Sequence, residues 1–142
     1  MRRRSCVKVT VDANILFACL IKEGVTRQVW FDPEVQLYAP EFIVMEFLKH
    51  KKMVEQKSSS KREAFDSLVE VVLKQVQRVS DDSLKPYLPA AASLIKDSKD
   101  WLYLACALKE NTVIWSHDRG FGTQTRVQVM TTGAMVRAVG SL

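Results

Sequence analysis

The chain has 142 residues, of which 47% are hydrophobic and 26% are charged, and its formal net charge is +5. This length and apolar fraction predict one globular domain that spans residues 1–142 and is large enough to bury a core. The sequence has no apolar run long enough to cross a bilayer, and its basic start, MRRRSCVKV, lacks the apolar region of a secretion signal. We therefore expect a cytoplasmic protein that makes no membrane contact.

Cysteine usage and charge narrow the class of protein further. The three cysteines, Cys6, Cys19 and Cys106, are odd in number and far apart, which favours reduced thiols over a disulfide framework or a zinc site. A net charge of +5 is compatible with a polyanionic partner, and equally with a protein whose surface is merely basic.

The first predicted element is a strand in which Val7, Val9 and Val11 alternate with polar residues. The strand ends at Asp12, after which residues 15–21 are apolar and compatible with a helix. Asp12 thus stands at a strand-to-helix junction. Taken alone, an aspartate at such a junction is best explained as the N-cap of the helix.

Residues 35–39 predict a second strand, and Pro40 is placed to open the helix that follows it. In this helix Glu46 lies within an otherwise apolar run over residues 43–48, which covers most helical directions. A carboxylate on the apolar face of a helix is costly unless it is paired or binds a cation. The sequence leaves open whether Glu46 points into a site or faces water on an amphipathic helix.

A pair of helices joined by a serine-rich loop forms the predicted middle of the chain. Ser60 and Glu63 form a capping-box pattern at the start of the second helix, which runs to about Gln75. Basic residues cluster near the tip of this pair: Lys49, Lys51, Lys52, Lys57, Lys61 and Arg62. Exposure of the tip to solvent explains such a cluster, and binding of nucleic-acid phosphates is the functional alternative.

The last third of the chain carries further acids at two predicted element ends. Residues 101–108 are apolar on nearly all sides, which predicts a buried helix opened by Asp97 and Asp100. Residues 113–115 predict a short strand, and Asp118 follows its end.

Strands alternate with helices along the chain, with further short strands predicted over 76–79 and 127–130. This pattern predicts the α/β class, as a three-layer α/β/α sandwich around a central parallel sheet of four or five strands. In such sheets, sites gather outside the carboxyl ends of the strands. Four acids are therefore candidates to share one cleft: Asp12, Glu46, Asp100 and Asp118.

Four converging carboxylates repel one another unless they are protonated or share divalent cations. An all-oxygen ligand set suits Mg²⁺ or Mn²⁺. Such metals lower the pKa of bound water and stabilise the attacking and leaving oxygens at phosphorus, which is the chemistry of phosphodiester hydrolysis. Setting four of the 16 acids aside leaves 12 against 21 bases, so the remaining surface would carry +9, which favours a polymeric substrate.

Short polar residues flank two of these acids. Asn14 and Ser116 are candidates to orient Asp12, Asp118 or a metal-bound water. A local turn and a strand-end hydrogen bond explain the two residues equally well. His117 is a weak candidate ligand, because it lies on a predicted exposed turn. A Gly-rich phosphate loop and a serine nucleophile elbow are both absent from the sequence.

Taken in order, these residues resemble the PIN domain, a small metal-dependent ribonuclease fold. Four segments carry the resemblance over nearly the whole chain: Val9–Asn14 (VTVDAN), Phe42–Phe47 (FIVMEF), Asp97–Leu108 (DSKDWLYLACAL) and Ile114–Phe121 (IWSHDRGF). The resemblance implies an endoribonuclease that depends on Mg²⁺ or Mn²⁺. It implies these catalytic metal ligands: Asp12, Glu46, Asp100 and Asp118.

The resemblance also implies supporting residues and partners. Asn14 and Ser116 take supporting roles, and Asp97 is either a helper of Asp100 or an N-cap. Glu41 is a rival for the second acid, but a first-turn position is explained by the helix dipole. Domains of this size resemble VapC-type toxins of prokaryotes, often archaeal, which implies a homodimer, an RNA substrate and a cognate antitoxin protein.

Two other functions stay open at this point. One is a non-catalytic PIN-like module that binds RNA or protein, which the presence of all four acids disfavours. The other is a phosphomonoesterase-like enzyme on small phosphates, which the basic surface disfavours.

Overall fold

The structure is a computed structural model that describes residues 6–58 and 60–140. Its five strands are short, and the first four begin at the predicted residues: β1 (Val7–Val11), β2 (Val35–Pro40), β3 (Val76–Val79), β4 (Val113–Trp115) and β5 (Val129–Met130). The last of these is two residues shorter at its start than the sequence predicted.

In the described part of the chain, eight α-helices connect and flank these strands: α1 (Ala13–Ile21), α2 (Val25–Trp30), α3 (Phe42–Lys57), α4 (Arg62–Lys74), α5 (Asp81–Leu84), α6 (Leu88–Leu94), α7 (Trp101–Glu110) and α8 (Thr132–Val139). Three short 3-10 helices lie between them: Lys85–Tyr87, Ser98–Asp100 and Arg119–Thr123. Within residues 6–58 and 60–140, no helix is long and apolar enough to cross a membrane.

The five strands form one sheet in the order β3-β2-β1-β4-β5, and every pair is parallel. This confirms the predicted parallel sheet of four or five strands. The chain first builds the sheet outward from β1 to β3 and then returns to the other side of β1 to add β4 and β5. The boundary between β1 and β4 is therefore a topological switch point, where a crevice forms at the carboxyl ends of the strands.

Helices cover the sheet in two separate groups. The helices α1, α2, α3, α4 and α8 contact one another, whereas α5 and α6 contact α7, which packs on β1, β2 and β4. Right-handed crossovers explain this division, because reversing the direction in which strands are added places the connecting helices on the opposite face. The result is the predicted three-layer α/β/α sandwich.

The core between the layers is built from large apolar side chains. Trp30 of α2 and Trp115 of β4 are both fully buried, with ring centroids 6.2 Å apart. The indole of Trp30 also donates a hydrogen bond to the carbonyl of Val72 at 3.0 Å, which ties α4 to the same core. Cys19 and Cys106 are buried free thiols, in agreement with the predicted reduced state.

Two local predictions in the first half of the chain are wrong. Pro40 does not open α3 but ends β2, because the Glu41 N–H donates to the Val79 carbonyl at 2.8 Å and keeps the chain extended. The capping box of Ser60 and Glu63 does not form. Helix α4 instead begins after Lys61, with no side-chain cap, while the Ser60 N–H donates to the Ser58 hydroxyl.

Two helix ends near the carboxyl terminus follow the sequence closely. Asn111 ends α7 with φ of 57°, the left-handed conformation that asparagine tolerates. Thr131 caps α8 by accepting a hydrogen bond from the Ala134 N–H at 3.1 Å.

Candidate active site

The first two acids of the site lie where neighbouring strands end. The last residues of β1 and β4, Val11 and Trp115, are partners in the parallel ladder. Asp12 therefore emerges beside the loop that carries Asp118, although 106 positions separate the two in sequence. Asp12 is 5% exposed and caps α1, since its Oδ1 accepts a hydrogen bond from the Ile15 N–H at 3.0 Å.

Ser116 connects these two acids. Its hydroxyl donates a short hydrogen bond to Oδ2 of Asp12 and accepts one from the Asp118 N–H at 2.9 Å. Ser116 is itself buried, so this link is shielded from solvent. The arrangement orients the carboxylate of Asp12 and the backbone of Asp118 relative to each other.

The third acid, Asp100, reaches the same place from the opposite face of the sheet. It ends a 3-10 helix and precedes α7, whose packing on the central strands fixes its position. Gly120 completes this corner: its N–H donates to Oδ1 of Asp118 at 2.8 Å. A Cβ at Gly120 would lie 3.2 Å from Oδ1 of Asp118 and 3.4 Å from Oδ2 of Asp100, so a side chain there would crowd both carboxylates.

The electrostatics of this corner follow from burial and from like charges. Burial, and then the carboxylates of Asp118 and Asp97, raise the pKa of Asp100 to about 7. Burial also raises the pKa of Asp12, although the hydrogen bonds from Ser116 and the backbone partly offset that effect. Protons or cations must therefore neutralise part of this negative charge near neutral pH.

Glu46 enters the site from α3 and is held by a tyrosine. The Tyr103 hydroxyl donates to Oε1 of Glu46 at 2.6 Å, and Tyr103 is 2% exposed. Burial and the neighbouring Glu46 carboxylate both raise the pKa of this phenol, so it stays a donor. The sequence left the direction of Glu46 open, and the structure turns it into the site, half-buried.

These side chains line one cleft of about 150 Å³. It contains five acids and six other residues: Asp12, Glu46, Asp97, Asp100, Asp118, Ala13, Asn14, Phe17, His50, Lys99 and Tyr103. All four predicted acids and Asn14 are thus brought together, and Ser116 lies directly behind Asp12. Asp97 lines the cleft, and its carboxylate accepts a hydrogen bond from the Lys99 N–H at 3.0 Å, which caps the 3-10 helix before α7.

Three residues of the cleft were not predicted from the sequence, although each has a sequence feature that could have identified it. His50 lies four residues after Glu46, so both share one face of α3. Tyr103 is a hydroxyl inside an apolar helix, and a buried phenol needs a partner. Lys99 immediately precedes Asp100 and places a cation at the edge of the cleft.

Two considered residues do not reach the cleft. Glu41 is exposed on the far side of β2, where its carboxylate accepts a hydrogen bond from the Asp81 N–H at 3.2 Å. His117 is exposed, and its Nε2 lies 2.8 Å from the Thr132 hydroxyl. Both positions agree with the lower weight that the sequence gave these two residues.

The chemistry of the donors fits a hard divalent cation. The cleft offers several carboxylate oxygens whose mutual repulsion a cation would relieve, as the raised pKa of Asp100 indicates. Across residues 6–58 and 60–140, no group of three or more His, Cys, Asp or Glu side chains is already spaced to hold a metal ion. Magnesium sites often use only one or two carboxylates with waters and substrate phosphates, so such a site does not need a full cage of protein ligands.

The fold and the cleft together define an α/β domain with a carboxylate site at a topological switch point. A profile of the PIN domain family matches residues 10–136. The chain therefore belongs to the PIN domain family, as its four segments predicted. No curated protein sequence matches it significantly.

Solved structures share the fold at low sequence identity. The crystal structure of PAE2754 from Pyrobaculum aerophilum has a TM-score of 0.67 and 16% identity, and the match covers 95% of this chain and 97% of that chain. The crystal structure of VapBC2 from Rickettsia felis, bound to a DNA fragment from the VapBC2 promoter, has a TM-score of 0.65 and 13% identity. The match covers 88% of this chain and 98% of that chain. Both comparisons establish the similarity of fold.

Proposed function

We propose that this PIN domain is an endoribonuclease that depends on Mg²⁺ or Mn²⁺ and hydrolyses RNA phosphodiester bonds. The observation that carries the proposal is the convergence of four acids in one cleft, where burial and then the neighbouring carboxylates raise the pKa of Asp100 to about 7. Perturbed carboxylates in a cleft are typical of functional sites. Membership of a family whose members are generally nucleases supports the same conclusion.

Each residue of the cleft has a role in this proposal. Asp12, Glu46, Asp100 and Asp118 offer the carboxylates, of which one or two would bind the cation directly, together with waters and the substrate phosphate. A divalent cation there would supply an activated water and stabilise charge at phosphorus. Ser116 holds Asp12 in place through its hydrogen bond, and Tyr103 holds Glu46 in the same way. Asp97 adds negative charge beside Asp100. Asn14 supports the acids as part of the lining of the cleft.

RNA is the proposed substrate because the surface outside the site is basic. With the four acids set aside, 12 acids remain against 21 bases. A groove of about 650 Å³ beside α3 and the start of α4 is lined by three bases, Lys51, Lys52 and Arg62, and by one acid, Glu55. Phosphate contacts by such residues supply affinity without sequence preference. Lys99 at the cleft itself offers a cation to the reacting phosphate.

A cleavage assay tests the proposal directly. Mixed structured and unstructured RNA is incubated with the protein and Mn²⁺ or Mg²⁺, with EDTA as the metal-free arm. We expect cleavage that EDTA abolishes and that Asp118→Asn loses, whereas Asp82→Asn, at an exposed acid outside the cleft, retains it. Cleavage that survives both EDTA and Asp118→Asn would contradict the proposed site.

Metal binding separates this proposal from a non-catalytic module. A chain whose cleft holds Mn²⁺ should melt at a higher temperature as Mn²⁺ is added, because only the folded state binds the ion. RNA binding without any effect of Mn²⁺ on melting or on RNA cleavage would favour the binding module instead.

We further propose that the protein acts as a VapC-like toxin, forms a homodimer and is blocked by an antitoxin protein in the cytoplasm. The fold of VapBC2 supports this proposal. Helix α3 also exposes apolar side chains that a protein partner would cover, since Met45 is 65% exposed and Leu48 57% exposed. Light scattering should give the mass of a dimer, and Leu48→Glu should reduce that mass if α3 lies in the interface. Coexpression with a cognate antitoxin protein should suppress RNA cleavage.

A further inference from the structure

The carboxylate cleft has room for the reacting phosphate but not for the nucleosides on either side of it. Its volume is about 150 Å³. Sites that hold a small organic ligand typically measure roughly 300–1,000 Å³. The nucleoside attached to a phosphate in this cleft must therefore lie in adjoining space.

A second groove opens onto the cleft and has the required size. Its volume is about 570 Å³, and it shares Asp97 and Asp100 with the carboxylate cleft. Residues 92–96 form one wall, while Gly120 and Thr123 form the other. The groove thus continues the cleft between the end of α6 and the loop that follows β4.

The first wall is fixed by backbone hydrogen bonds. The Ile95 N–H donates to the Ala91 carbonyl at 3.1 Å, which ends α6. The Ile95 carbonyl in turn accepts a hydrogen bond from the Trp101 indole at 2.9 Å. This bond ties the wall to the first residue of α7, directly after Asp100.

The second wall is fixed by one buried amide. Nε2 of Gln124 donates to the carbonyls of Phe121 and Val127, both at 2.8 Å, and its Oε1 accepts from the Val127 N–H at 2.8 Å. The Thr123 hydroxyl donates to the Gly120 carbonyl at 2.8 Å. Both walls are therefore held in place without a ligand, as in preformed binding sites.

The chemistry of the groove suits a nucleoside and its outer phosphate. Ala92 and Leu94 offer apolar surface for the flat face of a base, and Ser93 and Thr123 place hydroxyls beside it. Lys96 is exposed at the wall and provides a cation at a distance from the acids. The acids lie at one end of the groove, so a strand that enters it meets negative charge only where a metal would be held.

A comparably large cavity elsewhere lacks this connection. It measures about 530 Å³, is lined by Lys8 and Arg126 among others, and lies where β1 and β4 begin. Lys8 is four residues before Asp12 along β1, which places it about 13 Å from the carboxylates. Volume alone therefore does not identify the substrate path, whereas continuity with the acids does.

We propose that the groove between α6 and the loop after β4 binds the nucleoside adjacent to the cleaved phosphodiester of an RNA strand. The base packs on Ala92 and Leu94, and the next phosphate along the strand meets Lys96. This inference rests on the proposed ribonuclease activity and extends it, because the groove would determine which nucleotide is accepted beside the cut.

Filling the groove tests this inference. Ala92 is exposed on α6, so Ala92→Trp adds bulk to the groove without disturbing the core. Ala138→Trp is the matched control, because it places the same side chain at an exposed position of α8, outside the groove. Each variant is assayed for RNA cleavage with sequencing of the new ends, for RNA binding by fluorescence anisotropy, and for the rise in Tm with Mn²⁺.

The expected result separates the two variants. Ala92→Trp should lower kcat/KM on RNA at least about tenfold, the scale of one base contact, and change the base preference beside the cut. Its Tm should rise with Mn²⁺ as in the wild type, and Ala138→Trp should resemble the wild type throughout. Lys96→Gln should weaken RNA binding and reduce its salt dependence by about one phosphate contact.

The experiment distinguishes an error in the inference about the groove from an error in the proposed ribonuclease function. If the wild type cuts RNA and Ala92→Trp matches Ala138→Trp in rate and base preference, the groove does not hold the nucleoside. If the wild type does not cut RNA, the proposed function is wrong. The binding comparison then decides the groove by itself, and equal RNA affinity of the two variants overturns this inference as well.

Discussion

Two groups of acids lie at the same edge of the sheet, yet only one forms a cleft. The switch-point cluster consists of Asp12, Asp100 and Asp118, beside β1 and β4. The outer cluster consists of Glu41 and Asp81, which follow β2 and β3. Composition does not separate the two groups, because each brings carboxylates from strand ends into one place.

The carboxylates of the outer cluster connect the segment after β2 to the segment after β3. The Asp81 N–H donates to Oε1 of Glu41 at 3.2 Å, and the Phe42 N–H donates to Oδ1 of Asp81 at 3.3 Å. Burial raises the pKa of Asp81, but the Phe42 N–H acts against that effect. These acids therefore cap the starts of α3 and α5, which is a structural role.

The switch-point cluster differs because the sheet topology leaves space there. Asp12 and Asp118 also cap helix starts, but the chain leaves β1 and β4 toward different parts of the sheet, so a crevice opens between the two strand ends. Asp100 then faces other acids, and burial and Asp118 raise its pKa to about 7. The difference teaches that strand order, more than the number of acids, decides which acids can act on a ligand.

The largest expected effect comes from removing one charge in each cluster. We expect Asp100→Asn to lower the rate of RNA cleavage at least about 100-fold, above the effect typical of residues that only support metal ligands. Asp81→Asn should leave the rate within about twofold of the wild type, since its carboxylate lies outside the cleft. The measurement is the Mn²⁺-dependent rate at saturating metal. Equal losses in the two variants would remove the distinction between the clusters.

A smaller effect is expected from the serines beside each cluster. Ser116→Ala removes the hydroxyl that links Asp12 to the Asp118 N–H, and we expect a loss of activity of about 10–100-fold. Ser80 caps α5 next to the outer cluster, so Ser80→Ala should lower the free energy of unfolding by roughly 1 kcal/mol. The rate of RNA cleavage by this variant should not change. The comparison requires both the cleavage rate and the free energy of unfolding. A Ser116→Ala variant with full activity would show that this link is structural.

The pH dependence of stability sharpens the same contrast. In metal-free buffer the folded Asp100 keeps its proton up to about pH 7, whereas the unfolded carboxyl releases it near 3.8. The folded state thus binds more protons, and stability from this group falls as the pH rises from about 4 to 7 and is constant above that range. Asp100→Asn should therefore be more stable than the wild type at pH 8, on the order of 1–2 kcal/mol after solvent screening.

Urea unfolding in EDTA at pH 5 and pH 8 measures this effect. The advantage of Asp100→Asn should be larger at pH 8 than at pH 5. Asp82→Asn is the control, since this acid is exposed outside both clusters, and its curve should stay parallel to that of the wild type. An advantage that does not change with pH would mean that Asp100 ionises normally.

The smallest effect is expected in the outer cluster. Asp81→Ala removes the acceptor of the Phe42 N–H at the start of α3, which should cost about 1 kcal/mol of stability. The free energy of unfolding by urea measures this loss, and RNA cleavage at a temperature well below Tm should be unchanged. A loss of activity without a loss of stability would move Asp81 from a structural role to a functional one.

Much of the fold could be predicted because its signals are local. Alternating valines marked β1, and an apolar run marked α7. Predictions failed where a long-range contact decided the outcome, as at Pro40, where pairing with β3 extends β2. Within the site, the acids could be predicted from the family pattern, but Tyr103 could not, because its partner Glu46 is 57 positions away.

The sequence by itself determined the identity of the strands and helices, the family and the acids at strand ends, because periodicity, β-branching and capping act over a few residues. Only the tertiary structure decided that Asp12 stands beside Asp118, that Glu46 turns inward to Tyr103, and that a groove adjoins Asp100. Those outcomes depend on strand order and on packing between distant segments, which the burial of the whole core selects and no single segment encodes.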